Sequence, residues 1–332
     1  MFRFPGDDPS QKESDGHGAV LSDMERVTFE GWEDCVRLTN GTVEVIVTTT
    51  VGPRIIRYGF VGGPNVFQVI PASAGQTGSD EFQGYGGHRL WVAPEALPRS
   101  YNPDNHPVET VREEDGWLVV ANGPEQESGF SKEMRIRINP EGSGVVVEHK
   151  ITNHLQWPVS AASWGLNIVA NGGYVVFPQE PFVAHDDDLL PARPLVLWKF
   201  TDMGDPRWRW GTKYITLTQT EIANKPQKVG LYNAQGWSAH VTADGVFVVQ
   251  IDVAPGGPSA LTDDGCNYET YTDGPFQELE TVGPFQPIEP GQSTGHTEYW
   301  SLSRSGGIPN TDDALDEHLL PLIKFAKAEH GK

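Results

Sequence analysis

Val145-Val-Val-Glu-His-Lys-Ile151 decides the fold class. Val145, Val147, His149 and Ile151 fall on one side of an extended chain, and Val146, Glu148 and Lys150 on the other. Met134-Arg-Ile-Arg-Ile138 repeats the pattern, as do Val43-Glu-Val-Ile-Val47 and Phe247-Val-Val-Gln-Ile251. Segments 116–123, 212–219 and 296–303 read the same way. Alternation with a period of two, over many short runs cut by Gly, Pro, Asn and Asp, predicts antiparallel sheets with one face in a core. The strands run to about residue 305 with no linker and no internal repeat. More than a dozen strands in one domain, 21–305, predict two packed layers. Residues 1–20 are polar and read as disordered. In 306–332, Thr311 is a candidate helix cap, followed by Asp312 and Asp313. Leu315, Leu319, Leu322 and Ala326 then recur at helical spacing. Pro321 is expected to kink this helix, which should pack on the sheets.

Composition narrows the function. The chain has 332 residues, with 45 Asp+Glu against 24 Lys+Arg and a formal charge of −21. Nucleic-acid binding needs clustered cations, and so does docking on an anionic membrane. Neither partner is expected. No run approaches the length of a membrane span. The first residues lack the apolar core of a secretory signal, so the chain as written reads as cytoplasmic, though a signal removed earlier would leave no trace. Cys35 and Cys266 make no disulfide framework and no cysteine zinc site. Phosphate-binding loops, dinucleotide fingerprints, HExxH and GxSxG are absent. No cofactor and no metal is expected. The acidic stretches His185–Asp188 and Thr262–Gly265 read as solvated turns, because neither has the spacing of a calcium loop.

Four features carry candidate chemistry. In Phe276-Gln-Glu-Leu-Glu-Thr-Val282, a strand puts Phe276, Glu278, Glu280 and Val282 on one face. Two carboxylates so close raise at least one pKa, which suits general acid/base work. The competing reading is a solvated face. In Gly84-Tyr-Gly-Gly-His-Arg-Leu-Trp91, glycines before His88 and Arg89 allow close backbone approach to a ligand. His88 could move protons, and Arg89 could hold hydroxyls or a carboxylate. The alternative is a Gly-rich turn with a satisfied histidine. Arg54 and Arg57 end an apolar strand and suit a structural ion pair as well as a ligand. Trp91, Trp164 and Trp210 belong to a Trp-rich set whose default place is the core, yet sugar rings also stack on Trp. Pro206-Arg-Trp-Arg-Trp210 reads as a turn offering an exposed platform.

Taken with Leu38-Thr-Asn-Gly-Thr-Val-Glu-Val-Ile-Val47, Val51–Tyr58, Gly86–Glu95, Ile151-Thr-Asn153, Trp164-Gly-Leu166, Glu278–Pro284 and Glu289–Gln292, these segments resemble the galactose-mutarotase-like superfamily. That superfamily is the β-supersandwich of aldose 1-epimerases, and the likeness is greatest to a branch of unknown function. The resemblance implies a large antiparallel supersandwich, a mono- or oligosaccharide ligand and an epimerase-like isomerase. Glu280, with Glu278 beside it, matches the late-strand general base, and Arg54 an early-strand binding residue. Where those epimerases place an acid His, this chain reads Ala162-Ser-Trp-Gly165, so the acid role passes to His88. Arg89, Trp91, Trp164 and Trp210 are the expected substrate contacts. A non-catalytic sugar-binding protein is the first alternative. A polysaccharide lyase or glycoside hydrolase is the second. Oligomeric state is not readable.

Overall fold

In the computed structural model, residues 23–220 and 225–332 are described; the disorder expected for residues 1–20 falls outside them. Among the described residues, twenty-one strands form two antiparallel sheets. The first runs through Asp23–Phe29, Trp32–Thr39, Val43–Thr48, Arg54–Phe60, Gly87–Ala93, Val159–Val169, Phe276–Val282, Tyr268–Asp273, Gln227–Leu231 and Leu195–Leu197. Gln286–Ile288 adds to the lower part of Val159–Val169. The second runs through Trp208–Trp210, Tyr214–Thr218, Tyr174–Pro178, Trp237–Val241, Val246–Ile251, Ser293–Ser303, Val145–Asn153, Phe130–Ile138, Trp117–Asn122 and Thr110–Glu114. The expected all-β supersandwich with a C-terminal helix is what the chain forms.

The alternating apolar positions do what their period requires. Met134, Ile136, Val145, Val147 and Ile151 of the second sheet meet Val45, Val47, Leu90, Val92 and Leu279 of the first in one core. The Pro206–Trp210 stretch is not the exposed turn expected from sequence. It contains an edge strand paired with Tyr214–Thr218, which buries Trp208 and stacks Trp210 on it at 4.9 Å. Cys35 and Cys266 are separate buried thiols.

The outer face of the second sheet is capped by the C-terminal helix. Thr311 Oγ1 accepts the Ala314 amide at 3.3 Å, as its N-cap position requires. Leu315–Leu319 is one wide π-helical turn, in which Leu320 N–H reaches back to the Leu315 carbonyl. Pro321 therefore sits just inside the renewed α-helix, Leu320–Glu329, where its missing N–H costs nothing. Ile323, rather than Leu322, is the side chain buried after Leu319. Leu315, Leu319, Ile323 and Ala326 pack on Val176, Trp237, Val241 and Val248. Leu319→Ala should lower unfolding free energy by about 2–5 kcal/mol, because a closed core position cannot collapse onto the gap; urea denaturation measures it.

Candidate functional site

The pleat of five adjacent strands sets the site. Cross-strand partners place Arg89, Leu166, Glu280 and Glu269 in one row of the first sheet. Ile168, Glu278, Tyr271 and Lys228 form the next row. Both rows face away from the sandwich core, into a cavity of about 470 Å³. Its aromatic walls include Trp91, Trp164, Trp198, Tyr101, Tyr271 and Phe276. Trp91 and Trp164 meet edge to face at 5.4 Å. This is the combination expected of a small-ligand site: apolar walls with a few converging polar groups.

The charges are concentrated at its floor. Lys228 Nζ lies 2.8 Å from Glu269 Oε2 and 3.1 Å from Glu280 Oε2. It also sits 4.7 Å from the ring centres of both Trp164 and Trp198. Glu280 is fully enclosed and accepts a second bond from Trp164 Nε1 at 2.9 Å. Burial pushes its carboxyl upward in pKa against the opposing pull of Lys228. Lys228 stays charged, since its two carboxylates outweigh the cost of burial.

Glu278 differs from Glu280 in being partly open to the cavity. Burial raises its pKa to about 7, and Lys228 and Arg89 only partly offset that rise. Arg89 is 3% exposed, with its guanidinium carbon 4.5 Å from the Trp91 ring centre and 4.9 Å from that of Phe82. Its Nε and Nη2, together with Trp91 Nε1, Glu269 Oε1 and Glu280 Oε1, are buried without a hydrogen-bond partner. Five unsatisfied polar atoms around one cavity are a high local cost for a folded chain.

No family model matches the chain, and no curated protein matches it. Solved structures do. A galactose mutarotase-like protein from Lactobacillus casei is 10% identical, with 81% of this chain and 100% of that chain covered and a TM-score of 0.54. A candidate aldose 1-epimerase from Klebsiella pneumoniae is 10% identical, with 92% and 87% covered and a TM-score of 0.55. A candidate mutarotase from Salmonella typhimurium is 13% identical, with 85% and 94% covered and a TM-score of 0.54. The chain has the galactose-mutarotase-like fold.

Within that fold the sequence-selected residues separate into four places. Glu278, Glu280, Arg89, Trp91 and Trp164 gather at the cavity. Arg54 lies beside it but is fully buried, donating to Gly86 O at 2.6 Å and to Asp104 Oδ2 at 2.8 Å. Arg57 likewise pairs Glu44 at 2.7 Å. Both arginines hold structural ion pairs. His88 points to the other face of its strand, into the sandwich interior, so it and Glu280 do not face one ligand. The reason is parity: His88 and Arg89 are neighbours in one strand, and only one of them can face the cavity. Trp210 lies on the second sheet, away from these residues.

Lys228, Glu269 and Tyr271 escaped the sequence reading, and Trp198 belonged only to its general Trp-rich set. Lys228 stands in a weakly patterned segment, Gln227-Lys-Val-Gly-Leu231, and only strand pairing brings it to Glu280. Lys228→Met should destabilise the fold by about 3–5 kcal/mol at neutral pH, since it strands two buried carboxylates. Adding Glu280→Gln should recover part of that loss. Denaturant titration of the single and double variants measures both.

Proposed function

We propose that the cavity binds a sugar ring, and that the chain is an aldose 1-epimerase-like isomerase with Glu278 as its proton-exchanging group. The observation that carries this reading is the Glu278 carboxyl, partly open to an aromatic-walled cavity, with a pKa near 7 and two cations beside it. Trp91, Trp164 and Trp198 offer flat faces for the C–H side of a pyranose. Ionised Glu278 takes the proton of the anomeric hydroxyl as the bond from the anomeric carbon to the ring oxygen breaks. The Arg89 guanidinium stabilises the negative charge developing on the ring oxygen, which then takes from protonated Glu278, through a solvent water, the proton that Glu278 removed. Reclosure on either face of the carbonyl, with the proton returned, interconverts the anomers.

The sequence expectation gave the base role to Glu280. Its enclosure and its bonds to Lys228 and Trp164 suit it better to holding the floor in place. Glu278 is the group a ligand can reach. A second reading, a sugar-binding protein without turnover, is favoured by one observation: His88, the expected acid, faces away from the cavity.

Polarimetry and NMR exchange over a panel of free monosaccharides separate the two. Isomerase activity should show a kcat/KM that rises with pH through about 7, because the base works ionised and its pKa is about 7. Glu278→Gln should lower kcat/KM by roughly 100-fold or more and abolish that limb. Unchanged interconversion in Glu278→Gln would sink the isomerase reading. Binding without exchange in the parent chain would support the second.

The same shift carries a stability signature. The folded-state pKa of Glu278 is raised above the unfolded value, so the protonated form is favoured by folding. Its contribution is fully present below about pH 4.5 and is lost as pH rises through about 7. Glu278→Gln should therefore raise Tm at pH 8 and leave it nearly unchanged at pH 4, as scanning calorimetry at the two pH values can check.

A further inference from the structure

On the inner face of the same strands, a polar cluster is sealed between the two sheets. His88, Ser163, Asn167 and Thr281 come from the first sheet, and His149 and Glu298 from the second; all are buried. His296, paired with His149 across the second sheet, stands at the rim. An apolar core has no use for so many polar groups unless they are satisfied or hold something.

Their hydrogen bonds can be assigned in order. Trp300 Nε1 can only donate, and it lies 2.6 Å from Glu298 Oε2. The Thr281 hydroxyl donates to Glu298 Oε1. Asn167 Nδ2 lies 3.4 Å and 3.3 Å from the two Glu298 oxygens and donates to them. That orientation turns Asn167 Oδ1 toward His88 Nδ1, 3.0 Å away, so His88 carries its hydrogen on Nδ1. His149 Nδ1 faces the His296 carbonyl oxygen at 3.2 Å, so His149 also carries its hydrogen on Nδ1.

Both Nε2 atoms are then bare lone pairs, and they face each other at 2.7 Å. Two opposed lone pairs repel unless something positive lies between them. The Glu298 carboxylate lies next to the pair: its Oε2 is 3.8 Å from His88 Nδ1, and one ring nitrogen of each histidine and one carboxylate oxygen lie within 4.8 Å of one another. Gly165 makes room for it. A Cβ there would lie 2.5 Å from Glu298 Oε1 and 3.3 Å from His88 Cε1.

We propose that His88 Nε2, His149 Nε2 and the Glu298 carboxylate hold a first-row divalent cation of the zinc class between the two sheets. Two imidazoles and one carboxylate suit zinc, cobalt or nickel rather than calcium or magnesium, which prefer all-oxygen shells. Zinc–nitrogen bonds are about 2.0–2.1 Å, so opening the pair by about half an ångström gives tetrahedral spacing. The outer shell is in place. Asn167 and the His296 carbonyl receive the Nδ1 hydrogens, and Thr281 and Trp300 orient the carboxylate. Such an ion would tie Gly87–Ala93 of the first sheet to Val145–Asn153 and Ser293–Ser303 of the second, directly behind Arg89. The inference stands apart from the sugar-binding reading, because it concerns the opposite face of the sheet.

The test uses the untagged full-length chain, stripped with chelator and titrated with zinc and with cobalt(II). Calorimetry should give one equivalent, Tm should rise by about 5 °C or more, and cobalt should show the visible band of a nitrogen- and oxygen-ligated tetrahedral site. His149→Gln and Glu298→Gln should each abolish the uptake. If either variant fails to fold, the cobalt band and the loss of free His88 and His149 ring signals in the ¹⁵N spectrum of the parent chain decide the matter. No uptake with an unchanged Tm overturns the proposal, as does uptake that survives in folded His149→Gln. A metal-free chain showing one imidazolium proton shared by the pair at neutral pH, and no binding of either ion, overturns it too.

Discussion

The period of two in three adjacent strands, Gly87–Ala93, Val159–Val169 and Phe276–Val282, governs everything chemical about this chain. Each of the three sends one set of side chains into the sandwich and the other set outward, and cross-strand pairing aligns the sets. Arg89, Leu166 and Glu280 come into one outward row, while His88 and Asn167 are paired on the inward side. A slip of one residue in any strand would exchange the two sets. The cavity and the sealed polar cluster are therefore two consequences of one register.

Charge is tolerated in both places because it is paired or fixed. On the outer side, Lys228 is held by two carboxylates and two indoles, so one ammonium neutralises a floor that would otherwise hold only acids. On the inner side, Glu298 accepts bonds from Trp300, Thr281 and Asn167. Rigid, desolvated charge of this kind is poorly suited to a stability role, since apolar substitutes of the same size often serve as well or better. Its concentration around one aromatic cavity is what distinguishes that cavity from the smaller cleft lined by Phe60, His240 and Arg304.

The net charge of −21 takes on a local meaning. Most acids are spread over a large β surface. Beside Arg89 and Lys228, Glu278 lines the cavity together with the more exposed Glu95, and its raised pKa follows from its burial there. The helix solves a different problem. The second sheet has an apolar outer patch, and Leu315, Leu319 and Ile323 cover it, with a π turn that accommodates Pro321.

The all-β class, the two layers, the capped C-terminal helix and the shared face of Glu278 and Glu280 were legible in the sequence, because each follows from local periodicity or from a cap residue. The same local rule, applied to His88 and Arg89, already implied that only one of them could face a ligand, but not which one. That choice depends on which face of the first sheet meets the second, a long-range matter of packing. Lys228 reaching Glu280, Arg54 pairing Asp104 and the meeting of His88 with His149 join residues 52, 50 and 61 positions apart. No periodicity within a strand encodes such contacts. Strand pairing within the first sheet brings Lys228 to Glu280, a loop carries Asp104 to Arg54, and only the stacking of the two sheets brings His88 to His149.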